Sequence, residues 1–356
     1  MRLTILTGLL SIAASACMMD VGGGDCVGQR CTNDKPDAGS TDCANPTELK
    51  TNLVLKTAAD FDTLPKGCWT LNANLRLEGQ AITSLAKLGS LTEVNDLEIV
   101  DTGLTGIDSA KTIKVYGSLL VSGNTKLTTL GTLDVKKWDG ATVGGAFTVT
   151  YNLRNNAALA NIDALKYIQK VDGDLRFTDD PKLGEIELGE LTSVGGALVV
   201  TNTGAPMIKL TQLTQVGRVE IGMNSALTMV HGFGTTTIGG DFLLRGNPVL
   251  TELGAMSSLT TILGALTVDG NTALPDLVGL TGAMQRVYGG VTISNNANLT
   301  NLGQLSHLAQ IGTSSILNNT KLSYCKALEV DRCVPNSTVT ISGNQQANNC
   351  QTWCGL

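Results

Sequence analysis

The pattern aliphatic-x-x-Asn-x-x-Leu-x-x-Leu returns along most of this chain. Its clearest copies are Val268, Asn271, Leu274, Leu277 and Ile293, Asn296, Leu299, Leu302. The frame also fits Val121, Asn124, Leu127, Leu130, then Leu153, Asn156, Leu159, Ile162, then Ile221, Asn224, Leu227, Val230, and Leu244, Asn247, Leu250, Leu253. Substituted copies are Phe177, Asp180, Leu183, Ile186 and Val200 with Thr203, where Pro206 takes the leucine position. Leu77 with Gln80 and Ile99 with Thr102 extend the series backward, and Asn319 with Leu322 and then Asn344 extend it forward. The anchor positions 80, 102, 124, 156, 180, 203, 224, 247, 271, 296, 319 and 344 are 22, 22, 32, 24, 23, 21, 23, 24, 25, 23 and 25 residues apart. The one long interval predicts an insertion between Leu130 and Val149. A period of this length is the mark of a stacked-repeat architecture.

Each unit explains its own period. Segments such as Leu266-Thr267-Val268 and Val291-Thr292-Ile293 alternate and read as short strands with two aliphatics on one side. One unit cannot bury those aliphatics alone, but stacked units can, with strands pairing at about 4.8 Å into parallel sheets. About twelve rungs at that spacing give a rod roughly 55 Å long. Three or four buried aliphatics per rung, at about 1.5 to 3 kcal/mol each, offset much of the ordering entropy of a turn. The predicted fold is therefore all-β, a single-stranded right-handed parallel β-helix. The anchors Asn124, Asn156, Asn224, Asn247, Asn271, Asn296 and Asn319 sit where the strand turns a corner. There an amide side chain can satisfy orphaned peptide groups and bond its neighbours along the axis as a structural ladder. Asp180, Thr203 or Gln80 keeps an acceptor at the same place.

The N-terminus reads differently. Met1-Arg2, an apolar run from Leu3 to Ile12 and Ala14-Ser15-Ala16-Cys17 have the order of a secretory signal peptide, residues 1–16, too short to span a bilayer. A Cys directly after the small residues resembles the lipobox of bacterial lipoproteins, which makes Cys17 the expected lipidation site and the lipid the anchor. Residues 17–42 are Gly-, Asp- and Ser-rich and read as a flexible tether. The expected location is the cell envelope, at an outer membrane or cell surface, since Met18 follows the cysteine where Asp would direct retention. Setting Cys17 aside, Cys26, Cys31, Cys43, Cys68, Cys325, Cys333, Cys350 and Cys354 remain, an even set that fits an oxidising compartment and falls only at the two ends. A net charge of −6 with no Lys/Arg run excludes nucleic acid as the expected partner. Only 4% of residues are aromatic while 41 are glycine, a balance that suits thin coils closed by tight turns.

Val-Gly-Gly-x-Leu-x-Val before the anchor, as at Val194 to Val200, with Leu-x-x-Leu after it, resembles the receptor L-domain of insulin- and EGF-receptor ectodomains. Cys68-Trp69-Thr70-Leu71 is similar to the opening of such a domain. Asn319-Thr320-Lys321-Leu322-Ser323-Tyr324-Cys325, followed by Cys350 and Cys354, is similar to its Cys-capped end. The resemblance covers roughly residues 43–356 and implies a β-helix with disulfide-capped ends. Receptor L-domains have about half as many rungs, which leaves open one long solenoid or two fused domains meeting near 131–149. Cys325 and Cys350 both lie six residues past an anchor, on successive rungs, within disulfide reach. They are therefore paired, leaving Cys333 with Cys354. At the other end Cys43 is paired with Cys68 and Cys26 with Cys31.

No HExxH, no GxxxxGK[ST], no calcium-loop spacing and no Cys-x-x-Cys occurs, so neither metal nor cofactor is expected. His231 and His307 read as exposed turn residues. Asp172, Asp174, Asp179 and Asp180 form the one acidic cluster and read as a turn. Strand positions two and four before each anchor should face outward as one continuous face. The candidate binding residues on it are Arg154, Arg176, Thr178, Glu220, Arg245 and Asp269, beside apolar Val199 and Leu243. The expected function is binding or adhesion without catalysis, with a protein or glycan partner. A structural envelope spacer and, further off, a β-helix polysaccharide-degrading enzyme are the alternatives.

Overall fold

A computed structural model describes residues 43, 45–107, 111–131, 133–135, 150–254, 256, 258–347, 349–351 and 354. Contacts divide the chain into Met1–Asp42 and Cys43–Leu356. The expected signal peptide and tether, with Cys17, Cys26 and Cys31, lie outside the described residues, as does most of the expected insertion, 136–149.

Cys43–Leu356 is a parallel β-solenoid of about twelve turns built on three ladders. The front ladder carries the strands that precede each anchor. It runs from Leu53–Leu55 to Val339–Ser342, every neighbouring pair parallel. Its strand Leu119–Ser122 pairs directly with Tyr151–Arg154, so the insertion leaves the ladder unbroken. In-register pairing stacks like upon like: Leu97 on Leu119, Leu119 on Tyr151, Tyr151 on Leu175, and Phe242 on Leu266. A side ladder carries shorter strands about four residues upstream, such as Ile113–Val115 and Arg286–Val287, and in four turns a single longer strand such as Cys68–Glu78 serves both ladders. A third, short ladder joins Ile186–Glu187, Met207–Lys209, Met229–His231 and Glu252–Leu253. The inward buried aliphatics of successive turns form a single cluster from Leu55 to Val334.

Corners fix the period. At Asn124, Asn156, Asp180, Asn224, Asn247, Asn271, Asn296 and Asn319 the amide three residues on donates back to the anchor carbonyl, which turns Leu127, Leu159, Leu183, Leu227, Leu250, Leu274, Leu299 and Leu322 into the core. The residue just before every anchor has positive φ. Gly79, Gly123, Gly246, Gly270 and Gly343 share this site with Asp101, Asn155, Asp179, Asn202, Asn295 and Asn318, residue types that tolerate the left-handed region, and with Met223, which does not.

The buried anchors bond one another. Asn247 receives the backbone and side-chain amides of Asn224 on its Oδ1, at 3.2 and 3.1 Å, and donates its own to Oδ1 of Asn271, at 3.1 and 3.0 Å. The same relation links Asn124 to Asn156, Asn156 to Asp180, Asn271 to Asn296, Asn296 to Asn319, and Asn319 to Asn344. Each Asn also gives Nδ2–H to a carbonyl of the turn before. Gln80 departs from expectation: its longer side chain is exposed and donates to the carbonyl of Asp101 rather than accepting within the column.

Disulfides join Cys43 to Cys68, Cys325 to Cys350 and Cys333 to Cys354, with Cα separations of 5.4, 5.1 and 5.3 Å. One element was not anticipated. After Leu322 the turn becomes a helix, Tyr324–Cys333, because Ser323 caps it through the Cys325 amide and Ala327 and Val330 turn into the end of the core. The helix carries both Cys325 and Cys333.

Candidate binding face

The front ladder alternates, so side chains four and two residues before each anchor point away from the core. The inner of these two outward columns carries Arg76, Glu98, Leu120, Asn152, Arg176, Val199, Glu220 and Leu243 on successive strands. The outer column carries Glu78, Val100, Ser122, Arg154, Thr178, Thr201, Gly222, Arg245 and Asp269.

Outward does not mean open. Val199 and Leu243, expected as exposed apolar members of the face, are 4% and 6% accessible, because stacking at strand spacing lets neighbouring side chains cover them. Charges on this face mostly answer one another. Arg76 binds Glu78 at 2.8 Å and also Glu98 on the next strand. Arg176 holds Asp174 through Nη2 at 2.7 Å, and Arg218 holds Glu220 at 2.8 Å. Asp269 accepts from Ser294 Oγ at 2.6 Å and Asn295 Nδ2 at 2.8 Å.

These pairings set the ionisation. The Arg76 guanidinium holds the Glu78 carboxyl below its ordinary value, with Lys56 adding to it. Burial would raise Asp174, but the Ala197 amide and Arg176 outweigh it and keep the carboxyl below the usual range. These carboxylates stay ionised and engaged.

Arg154 and Arg245 differ from the other candidates. Arg154 reaches only Ser122 Oγ, at 3.2 Å, and neither arginine has an ion pair among the described residues. Both are exposed and share the outer column four strands apart, about 19 Å at sheet spacing. Thr178, Thr201 and Gly222, small and uncharged, lie between them. Of the six candidates, Arg154, Thr178 and Arg245 therefore form one patch, while Arg176, Glu220 and Asp269 are committed to partners within the fold. Arg218 and Asp174, which complete the ion pairs, lie six residues before their anchors, outside the two outward positions that the repeat frame singles out.

The acidic cluster disperses. Asp174 lies just before the strand Leu175–Thr178, Asp179 occupies the left-handed position and accepts from Asn202 at 2.7 Å, and Asp180 is buried among the anchors. His231 lies on a strand of the short ladder, 4.0 Å from Glu252, and not in a turn, because the residues after its anchor extend the third ladder. His307 is exposed in a short 3-10 segment, bonded to Gln304. Among the described residues no three His, Cys, Asp or Glu side chains converge as a metal site, and no helix is long and apolar enough to cross a membrane.

A hollow of about 360 Å³ lies on the side of the short ladder, lined by Asp163, Lys166, Tyr167, Glu185, Glu187 and Glu190 among others. Tyr167 is exposed there, with Lys166 Nζ 4.7 Å from its ring centroid. Glu187 is tied to Lys209 at 2.5 Å. Nothing in the repeat frame singles out these residues, since they fall in the variable part of two turns.

No protein-family model and no solved structure matches the chain.

Proposed function

We propose that this protein is a non-enzymatic binding module of the cell envelope, held to a membrane by lipid on Cys17, and that the patch Arg154, Thr178, Thr201, Arg245 receives its partner. The observation that carries this reading is the pair of exposed arginines that make no ion pair among the described residues, on a ladder whose other cations are neutralised. Leaving a guanidinium unanswered on a rigid sheet presents a preorganised donor fork for carboxylates or other anionic groups. A partner with acidic groups spaced to match, a protein surface or an acidic glycan, fits that chemistry. Carboxylates held by Arg76, Arg176 and Arg218 favour binding over acid–base chemistry. The resemblance to receptor L-domains supports the same reading through a solenoid with a Cys-capped end.

Crosslinking on intact cells with the Arg154→Glu, Arg245→Glu double variant tests it. Capture is lost while the unfolding temperature holds; capture equal to wild type removes the patch from the proposal. Turnover of any member of a polysaccharide panel by purified protein would replace binding with catalysis. Loss of membrane association in Cys17→Ser tests the anchor.

The unbroken front ladder on one core favours a second reading, a rigid spacer. That reading predicts an envelope phenotype that depends on rung number and is indifferent to Arg154 and Arg245.

A further inference from the structure

The column of anchors contains a single carboxyl, and its surroundings define which form it takes. In each Asn turn, Nδ2 donates to the carbonyl three residues before the preceding anchor. Asn124 uses Ile99, Asn156 uses Val121, Asn224 uses Val200, Asn247 uses Ile221, Asn271 uses Leu244 and Asn296 uses Val268, all within 2.8 to 3.1 Å. Asp180 holds the same position, and its Oδ1 already accepts the backbone and side-chain amides of Asn156, at 2.8 and 3.1 Å. Oδ2 therefore stands where each Asn turn places an amide donor, and by the shared frame it addresses the carbonyl of Leu153. It is fully buried and no donor reaches it. Two oxygens facing each other there repel unless one carries a hydrogen.

We propose that Asp180 is a proton-binding site inside the solenoid, a neutral carboxylic acid whose Oδ2–H donates to the Leu153 carbonyl and stands in for an asparagine amide. The junction it occupies is also where the bonded column divides. Thr102 to Asp180 forms one run, and Thr203 heads the next by giving its amide and hydroxyl to Asn224. The charged group bearing on the site is Asp179, its exposed chain neighbour, while Asn155, Asn156, Asn202 and Thr203 from the adjoining turns are uncharged. Burial, with Asp179 adding to it, pushes the carboxyl up to about 7 against the lowering effect of the Asn156 donors. Ionisation would place an unpaired charge next to a carbonyl in the middle of the stack.

The folded carboxyl holds its proton to higher pH than the unfolded one, whose ordinary value is 3.8. Asp180 therefore costs nothing at low pH, and its cost grows as pH rises from about 4 to about 7. It then stays constant above that, with the folding equilibrium falling by up to about tenfold per pH unit within the window.

Asp180→Asn restores the amide donor and removes the titration. Denaturant unfolding of the full chain and of Asp180→Asn between pH 4 and pH 8.5 should show curves that meet at the acid end, diverge toward neutrality and run parallel above it, the variant being more stable. Infrared difference spectra at pH 5.5 should show a buried carboxylic acid carbonyl band that Asp180→Asn abolishes. A stability difference independent of pH, or spectra in which the substitution removes no such band, overturns the assignment.

Discussion

Thr203 donates both its backbone amide and its hydroxyl to the Oδ1 of Asn224, at 2.9 and 2.8 Å. Thr102 makes the same pair of bonds to Asn124, at 2.9 and 2.7 Å. A threonine thus starts each run of the column, since its hydroxyl supplies the donor while lacking the reach to the turn behind. From Thr203 onward each corner depends on the next.

Asn247→Ala removes the acceptor for both amides of Asn224 and the donor to Ile221. Buried donors left unanswered cost about 1 to 3 kcal/mol each, so a loss above about 3 kcal/mol is expected in equilibrium unfolding. Hydrogen exchange should place the loosening in the turns on either side of residue 247, not at the ends.

Met223 sits at φ 56 where the other turns use Gly, Asn or Asp, and the residue is 63% exposed. Little packing is lost on replacing it. Met223→Asn is expected to stabilise by roughly 0.5 to 1 kcal/mol, seen as a higher unfolding midpoint in denaturant.

Gly217 shows the opposite constraint. A Cβ there would lie 2.5 Å from the carbonyl oxygens of both Gly195 and Gly196 in the turn before. Gly217→Ala must force two rungs apart, and a destabilisation of more than about 2 kcal/mol is expected by denaturant titration.

Removing the Cys325–Cys350 bond by a double Ser substitution opens a link spanning a separation of 25 residues. The expected loss is roughly 3 kcal/mol, confined to the C-terminal end because each rung contacts only its neighbours. Faster amide exchange in the helix Tyr324–Cys333, with the Asn224 region unchanged, is the readout.

Asp174 titrates in the sense opposite to Asp180. Burial opposes its ionisation, but the Ala197 amide and Arg176 hold it lowered, so its stabilising contribution is present above its ordinary value of 3.8 and is lost as pH falls through the depressed one. Arg176→Met should shift that acid loss to higher pH and lower stability at neutrality. Unfolding midpoints followed between about pH 2 and 6 check both signs.

Much of this could be read from the chain because a stacked fold repeats its constraints. Asn271 and Asn296 fall in one frame, and each must satisfy the same corner, so spacing alone assigns them to a buried column. Asp180 was legible as a member of that column, but its protonation was not, since that depends on a carbonyl in the preceding turn. The helix from Tyr324 was missed because the frame ends there and its apolar contacts, Ala327 and Val330, are too few to register as a period. On the face, alternation identified Arg154, Arg176 and Arg245 alike as outward.

The sequence by itself determined the period, the inward aliphatics and the corner residues, because backbone geometry and burial act on side chains a few positions apart. Tertiary structure alone decided which outward charges are free. Arg76 meets Glu98 across 22 residues, while Arg245 lies opposite Asp269 on the next strand without an ion pair, and Ser294 and Asn295 donate to Oδ1 of that carboxylate. Such choices are made between rungs, at a distance in the chain where only the register of stacking brings two side chains together.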